Sequence, residues 1–329
     1  MYNLLLKISL LITSLLSIYS IERCSQDEFS IYKDRYNKTY NENEEHNRFE
    51  QFCNNLNYIK DFNDDDQNTI KLGINKFADL SNAEFKSLNT LSSRQYVKRN
   101  EEVLNPKHVP NSLDWRDMGM VTPVKDQAQC GSCWAFSAIA ALESSNAIHG
   151  KDHKLYNLSE QELVDCSDDY GNMGCGGGLM DSAFEYMMKY GVESENSYPY
   201  TATDGSCNYS KSKVIVNVSR FIDVPKNNEK QLMYAVLGNP VSVAIDASDP
   251  SFQFYKSGIY NITNCGNELD HGVTVVGYGR DLIYKLDYWI IKNSWNTDWG
   301  YDGYIYMRRN HEDVEGMCGI AMDPSYPVV

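Results

Sequence analysis

Between residues 44 and 63 the positions Glu44, Arg48, Phe52, Asn55, Ile59 and Asn63 recur three or four residues apart. That spacing keeps them on one face of a helix for about five turns. Glu44 precedes Arg48 in the favourable order for an ion pair along a helix, although spacing alone leaves this an ordinary amphipathic helix. After the acidic run 64–66, read as a solvated loop, Gly73, Asn75, Phe77 and Asp79 alternate with Ile74, Lys76 and Ala78. A period of two predicts a strand. A second helix is expected from residue 133 to about 150, carrying Trp134, Phe136, Ile139, Ala140, Leu142 and Ile148. Ser159, with Glu162 three residues on, reads as a capping box opening a third, and 181–190 is amphipathic as well. Strand-like runs follow at 241–245, 272–277, 288–292 and 303–307, separated by Gly, Pro, Asn and Asp. Helices followed by strands predict an α+β molecule of two lobes with a cleft between them.

The first 20 residues read as a secretory signal: Lys7 is a weak basic start, 8–18 is mostly apolar, and Ser20 is a small residue at a cleavage position. Ser9, Thr13, Ser14 and Ser17 interrupt the run, and no later stretch approaches the roughly 20 apolar residues of a membrane span. A removed signal turns the nine cysteines into a disulfide framework rather than a set of reduced thiols. Setting aside Cys24 and Cys53 near the N-terminus leaves an odd number, which fits three bridges and one free thiol. The net charge of −15 in 329 residues disfavours nucleic acid and anionic membranes and suits an acidic compartment. Glycosylation triplets begin at Asn37, Asn157, Asn208, Asn217 and Asn261.

Candidate chemistry centres on Gln127-Ala128-Gln129-Cys130-Gly131-Ser132-Cys133-Trp134. A thiol in the first turn of a helix meets unpaired N–H groups and the positive end of the dipole, both favouring thiolate. Cys130 and Cys133 also form a C-x-x-C, so a structural or zinc role is the competing reading. Of the histidines downstream, His149, His153 and His311 lie in polar stretches and are expected at the surface. His271, in Asp270-His271-Gly272, opens an apolar run and is expected at the start of a buried strand. Asn293 could accept from one imidazole nitrogen and aim the other at sulfur, with Trp295 covering that bond. Gln127 and the Cys133 N–H are the candidate oxyanion donors.

The stretch around Cys133 resembles the nucleophile signature of papain and the cathepsins. The 44–63 and 73–79 patterns match the ERFNIN and GxNxFxD motifs, and so resemble the inhibitory prosegment of cathepsin L-like members of the papain family. Val109-Pro110-Asn111-Ser112-Leu113-Asp114-Trp115-Arg116 is similar to a mature N-terminus, after a polar linker at 92–107 suited to cleavage. The resemblance implies a signal at 1–20, a helical prosegment at 21–108 and a peptidase at 109–329. The implied fold is papain-like, with a helical left lobe and a β-barrel-like right lobe. It implies bridges Cys130–Cys175, Cys166–Cys207 and Cys265–Cys318, leaving Cys24 and Cys53 open. It further implies that Gly177 and Gly178 pair with extended substrate, with Asp270 and Trp295 beside the groove. Leu179, Met180, Ala244, Leu269, Gly272 and Asp323 would line the pocket for the second residue before the scissile bond. Asp323 departs from an apolar floor and could instead cap a turn or face solvent. Ala128 and Asn296 stand where glycine is usual.

The expectation is therefore a monomeric cysteine endopeptidase made as a secreted zymogen, lysosomal or extracellular, with no metal or cofactor. Its partners would be protein and peptide substrates and its own prosegment. No His-rich insertion between Cys166 and Cys207 blocks the cleft, which favours endopeptidase action. A silent binding homologue is disfavoured because Cys133 and His271 both remain. An acyltransferase or transglutaminase is disfavoured by the prosegment motifs and the Gln127–Cys133 spacing.

Overall fold

The structure is a computed structural model that describes residues 24–91, 101–262 and 265–329. The expected signal at 1–20 and the start of the linker, 92–100, lie outside the described residues.

The N-terminal part is a helical hairpin. Helix α1 (Gln26–Tyr36) starts at Ser25, whose hydroxyl accepts from the Glu28 N–H while the Glu28 carboxylate accepts from the Ser25 N–H. Helix α2 (Glu42–Asn63) is capped by Asn41. Phe29 and Tyr32 of α1 pack on Phe52 of α2, with ring centroids 5.4 and 4.9 Å apart. The polar members of the periodic face turn inward. Arg48 donates to Glu44, to Glu84 and to the Asp79 carbonyl. Asn55 donates to the carbonyls of Ala78 and Leu80, and Asn63 brackets the N–H and C=O of Leu72.

These groups hold residues 73–80 in a form the alternation did not predict. Only β1 (Ile70–Leu72) is extended, and the next residues coil through two turns, Ala78 N–H to Asn75 O and Leu80 N–H to Phe77 O. Each alternate side chain meets its own partner instead of one face of a sheet. Asn75 donates to the Gln253 carbonyl at 2.8 Å, Phe77 sets its edge on Trp295, and Asp79 is gripped by Tyr32, Tyr40 and Lys38. A short capped helix, α3 (Asn82–Lys86), follows.

Downstream, β2 (Leu113–Asp114) leads to α4 (Cys133–His149). Residues 133–147 of α4 are buried on every side, because the sheet packs on one face and α5 (Glu160–Cys166) and α6 (Met180–Tyr190) on the other. Ser159 caps α5, but the capping box is only half made. The Glu162 carboxylate accepts from Tyr186 and from the Glu193 N–H instead of returning to Ser159. The rest runs β3 (Val192–Glu193), β4 (Val214–Val216), β5 (Arg220–Asp223), α7 (Glu229–Val236), β6 (Val241–Ile245) and α8 (Pro250–Gln253). It ends with β7 (Tyr255–Tyr260), β8 (His271–Arg280), β9 (Asp287–Lys292), β10 (Tyr304–Arg308) and β11 (Ser325–Val328).

The main sheet has the order β1-β7-β10-β9-β8-β6-β11-β5, with β2 also paired to β8. Only the β7–β10 pairing is parallel. The N-terminal part thus supplies a strand of this sheet, Ile70 opposite Gly258 and Lys71 opposite Ser257. Two cores result, one joining the N-terminal helices to the sheet and one beneath α4, α5 and α6. Disulfides join Cys130–Cys175, Cys166–Cys207, Cys265–Cys318 and Cys24–Cys53, so Cys133 is the free, buried cysteine. Among the described residues no helix is long and apolar enough to cross a membrane, and no His, Cys, Asp or Glu cluster could hold a metal ion.

Candidate active site

Cys133 opens α4 in one lobe and His271 opens β8 in the other. Backbone N–H groups of Gly272, Thr90 and Trp134 point at the Cys133 sulfur and favour thiolate, yet burial outweighs them and pushes the thiol up to about 11. The thiolate expected from the helix N-terminus is therefore absent from this form. A helix end worth up to about 2 kcal/mol loses to complete removal of water.

The His271 Nε2–H donates to Asn293 Oδ1 at 2.8 Å, and Trp295 stacks on the ring at 4.5 Å and 23°. His271 Nδ1 is buried without a hydrogen-bond partner, and burial, opposed by the Asn293 bond, pushes the imidazole down to about 4. Thiol and imidazole are thus both buried and neutral, with no hydrogen bond between His271 Nδ1 and the sulfur. Gln127 also lies in the cleft wall, fully buried. Its Nε2 donates to the Cys130 carbonyl at 3.1 Å and its Oε1 accepts from the Ser294 hydroxyl at 2.6 Å. An amide nitrogen carries two hydrogens, so one donor remains.

The cleft itself is occupied by residues of the N-terminal part. Leu91 bridges in parallel with Gly178 and donates its N–H to the Asp270 carbonyl at 3.2 Å. The Thr90 hydroxyl donates to the Gly131 carbonyl at 3.0 Å. Gly177 sits at φ +114°, and a Cβ there would lie 2.4 Å from the Thr90 carbonyl oxygen. Only glycine permits that approach. Phe77 and Phe85 press their edges on Trp295, each at 5.3 Å, and Lys76 pairs with Asp126 at 2.6 Å.

Four of the expected pocket residues, Met180, Ala244, Leu269 and Gly272, gather here as well. Gly272 is paired with Ala244, and a Cβ on it would meet the Met180 sulfur at 3.2 Å. Leu179 and Leu269 are half-buried, Leu269 packing on the same core as Leu91, Met180 and Ala244. Asp323 is half-buried at the approach to β11. Burial raises the Asp270 carboxyl to about 7.

Behind Asn293, a chain of buried charges crosses between the lobes. Lys292 donates to the Thr122 hydroxyl, which donates to Glu143. Lys125 donates to Glu143 and to Glu160. A small cavity touches Lys125, Glu160, Lys292 and Asn293. Burial pulls the Lys292 ammonium down to about 8. Sequence reading missed Lys292, Ser294 and Thr90, because single polar residues carry no periodicity that marks them as inward. His149 and His153 are exposed, as expected, but His311 is half-buried and accepts from the Asp313 N–H.

Residues 109–328 match the family model for the papain family cysteine protease, and 29–85 that for the cathepsin propeptide inhibitor domain. A thiol protease of Hemerocallis, SEN102, is 48% identical over 299 residues, 87% of this chain and 81% of its own length. A cathepsin L-like protein of Caenorhabditis elegans is 43% identical, covering 97% of this chain and 98% of its own. Among solved structures, digestive procathepsin L 3 of Tenebrio molitor larval midgut superposes with a TM-score of 0.84 at 40% identity, covering 92% and 99%. The recombinant stem bromelain precursor gives 0.83 at 42% identity, covering 92% and 98%.

Proposed function

Because the chain belongs to the papain family of cysteine proteases and carries the cathepsin-type inhibitory propeptide, we propose that Cys133 is its nucleophile and His271 its general base and acid. The protein is a peptide-bond hydrolase made with its inhibitor in the same chain. Withdrawal of residues 89–91 readmits water to the cleft and removes the burial that keeps the pair neutral. The sulfur proton then passes to His271 Nδ1. The thiolate attacks the peptide carbonyl, and the oxyanion is held by the free Gln127 amide hydrogen and the Cys133 N–H. Protonated His271 releases the amine, and water activated by the same ring hydrolyses the thioester.

One observation carries this reading. The single unpaired sulfur touches the N–H of the residue after His271, while that ring keeps a buried nitrogen free and its other nitrogen fixed by Asn293. The working boundaries are a signal at 1–20, a prosegment at 21–108 and a peptidase at 109–329, with cleavage in or near 92–108. The chain would enter the secretory pathway, for a lysosome or the exterior. Asn37, Asn157, Asn208 and Asn217 are the exposed glycan acceptors, whereas Asn261 accepts from Arg308 and ranks last. The test is to acid-treat the protein, label it with a thiol-directed epoxide and map the adduct. Cys133 should be the labelled residue, and Cys133→Ser should abolish turnover while Asn293→Ala only weakens it. An adduct elsewhere, or an active Cys133→Ser protein, would overturn the assignment.

A further inference from the structure

The bridge Cys24–Cys53 stands apart from the other three, which all lie within the protease. It ties the chain just before α1 to the middle of α2, two helices that also meet through the rings of Phe29, Tyr32, Phe49 and Phe52 and through the ion pairs Lys33–Glu45 and Glu28–Lys60. Helix α1 presents Tyr32 to Asp79, and the residue after its cap, Lys38, pairs with the same carboxylate. The bridge therefore clamps the element that closes the inhibitory unit. Cys24 is buried, but Cys53 is only half-buried, which leaves that end of the bridge reachable. Both cysteines line an open surface groove with His46, Phe49 and Glu50, and the His46 and Glu50 side chains beside it are 74% and 62% exposed.

We propose that Cys24–Cys53 is a thiol-exchange site at which a small thiol reductant loosens the prosegment. A thiolate attacks the sulfur of the half-buried residue Cys53 and displaces Cys24 as thiolate, which takes a proton from solvent. A second thiolate attacks the mixed disulfide, frees Cys53 and leaves as the oxidised dimer. Two reductant thiols lose two electrons and the protein bridge gains them. Without the cross-link, α1 is held by its rings, its Asp79 contacts and the Lys33–Glu45 and Glu28–Lys60 ion pairs at the surface, and it can leave α2 independently. The same reducing milieu that keeps the Cys133 thiol usable thus loosens the inhibitory unit to which the covering residues 89–91 belong. This rests on the inhibitory role of the propeptide and not on the catalytic assignment.

The test uses the full chain with Cys133→Ser, so that peptidase activity plays no part in the readout. Amide hydrogen exchange of α1 is followed in the oxidised protein, after reduced glutathione, and in a Cys24→Ser/Cys53→Ser variant. Loss of a cross-link closing about 30 residues should raise α1 opening on the order of a hundredfold, in the glutathione arm and the variant alike. Because Cys207 is exposed, Cys166–Cys207 can react too. The variant separates the two sites, since glutathione should add nothing to its α1 opening. Unchanged α1 protection without the bridge overturns the proposal, as does a variant that still responds to glutathione. Should the variant fail to fold, the pre-folded glutathione arm with mass mapping decides. A Cys24–Cys53 bridge that resists glutathione, or opens with no change in α1, overturns it equally.

Discussion

Ala128 and Asn296 hold positive φ, 53° and 65°, at the two positions where the family pattern leads one to expect glycine. The backbone there kept the left-handed form and the side chains adapted to it. Asparagine tolerates this region far better than alanine. Ala128→Gly should therefore raise stability to denaturant by up to about 1 kcal/mol, after the extra freedom glycine gives the unfolded chain, and Asn296→Gly by less. Equal midpoints for Ala128→Gly and the parent would show that the strain is relieved locally. Specificity is a second matter for single residues. Leu269 packs where a Cβ on Gly319 would meet it at 2.8 Å and the Met322 sulfur at 2.9 Å, which brings the chain just before Asp323 beside an expected pocket wall. If the Asp323 carboxylate reaches an arginine in the second substrate position, Asp323→Ala should lower the Arg-to-Leu ratio of kcat/KM by roughly thirtyfold. Paired Arg and Leu peptides measure it, and an unchanged ratio removes Asp323 from the pocket.

At the level of elements, the two N-terminal motifs turn out to be one device. The helical period of 44–63 was legible because a buried stripe on α2 needs residues three and four apart. Its polar members were not assignable, since spacing cannot say that Arg48, Asn55 and Asn63 bind main chain at 70–80. The period of two at 73–79 misled for a related reason. Alternation marks a strand only when alternate residues share a face, and here Asn75, Phe77 and Asp79 meet three different partners. Asp79 shows what that arrangement does. Burial raises its pKa, but hydrogen bonds from Tyr32 and Tyr40 and the Lys38 ammonium overcome it and hold the carboxyl below its usual range. A carboxyl depressed in the folded state stabilises above its unfolded value near 4, and that contribution is lost as pH falls through the folded value. The closed form should weaken progressively below about pH 5. Asp79→Asn should open the prosegment already at neutral pH and flatten its acid dependence, at a cost of about 1–3 kcal/mol. The pH profile of processing reads this directly, and a variant with the parent's profile would place the acid sensor elsewhere.

For the molecule as a whole, the proposed catalytic pair is divided between lobes, Cys133 on a helix and His271 on the sheet, with the Lys292–Thr122–Glu143–Lys125–Glu160 chain behind it. The two-lobed arrangement was readable from helices preceding strands. The buried charges were not, because Lys and Glu in a sequence usually mean surface. The neutral pair of the closed form holds one proton, on sulfur, and the proposed thiolate–imidazolium pair also holds one, on nitrogen. Opening thus moves a proton without taking one up, which leaves acid sensing to groups such as Asp79. Cys133→Ser removes this balance. His271, depressed to about 4 when covered, must then take a proton from solvent as it is exposed. Closed-form stability is full above about pH 6.5 and is lost as pH falls toward 4. The Cys133→Ser protein should accordingly open at a higher pH than the parent, measured by prosegment hydrogen exchange; coincident midpoints would refute the proton count. A last consequence follows from β1. Its main chain pairs with β7, and Thr69 accepts from the Ile259 N–H beyond it. Removal of the propeptide would strip that partner away and leave a naked sheet margin, a row of unsatisfied donors and acceptors open to another chain's extended backbone. Exposed Lys256 and the kink of Gly258 at φ +92° stand on that margin, where charge and broken regularity discourage such stacking. A processed enzyme would thereby carry an open edge that its precursor keeps paired, with these two residues as its guard.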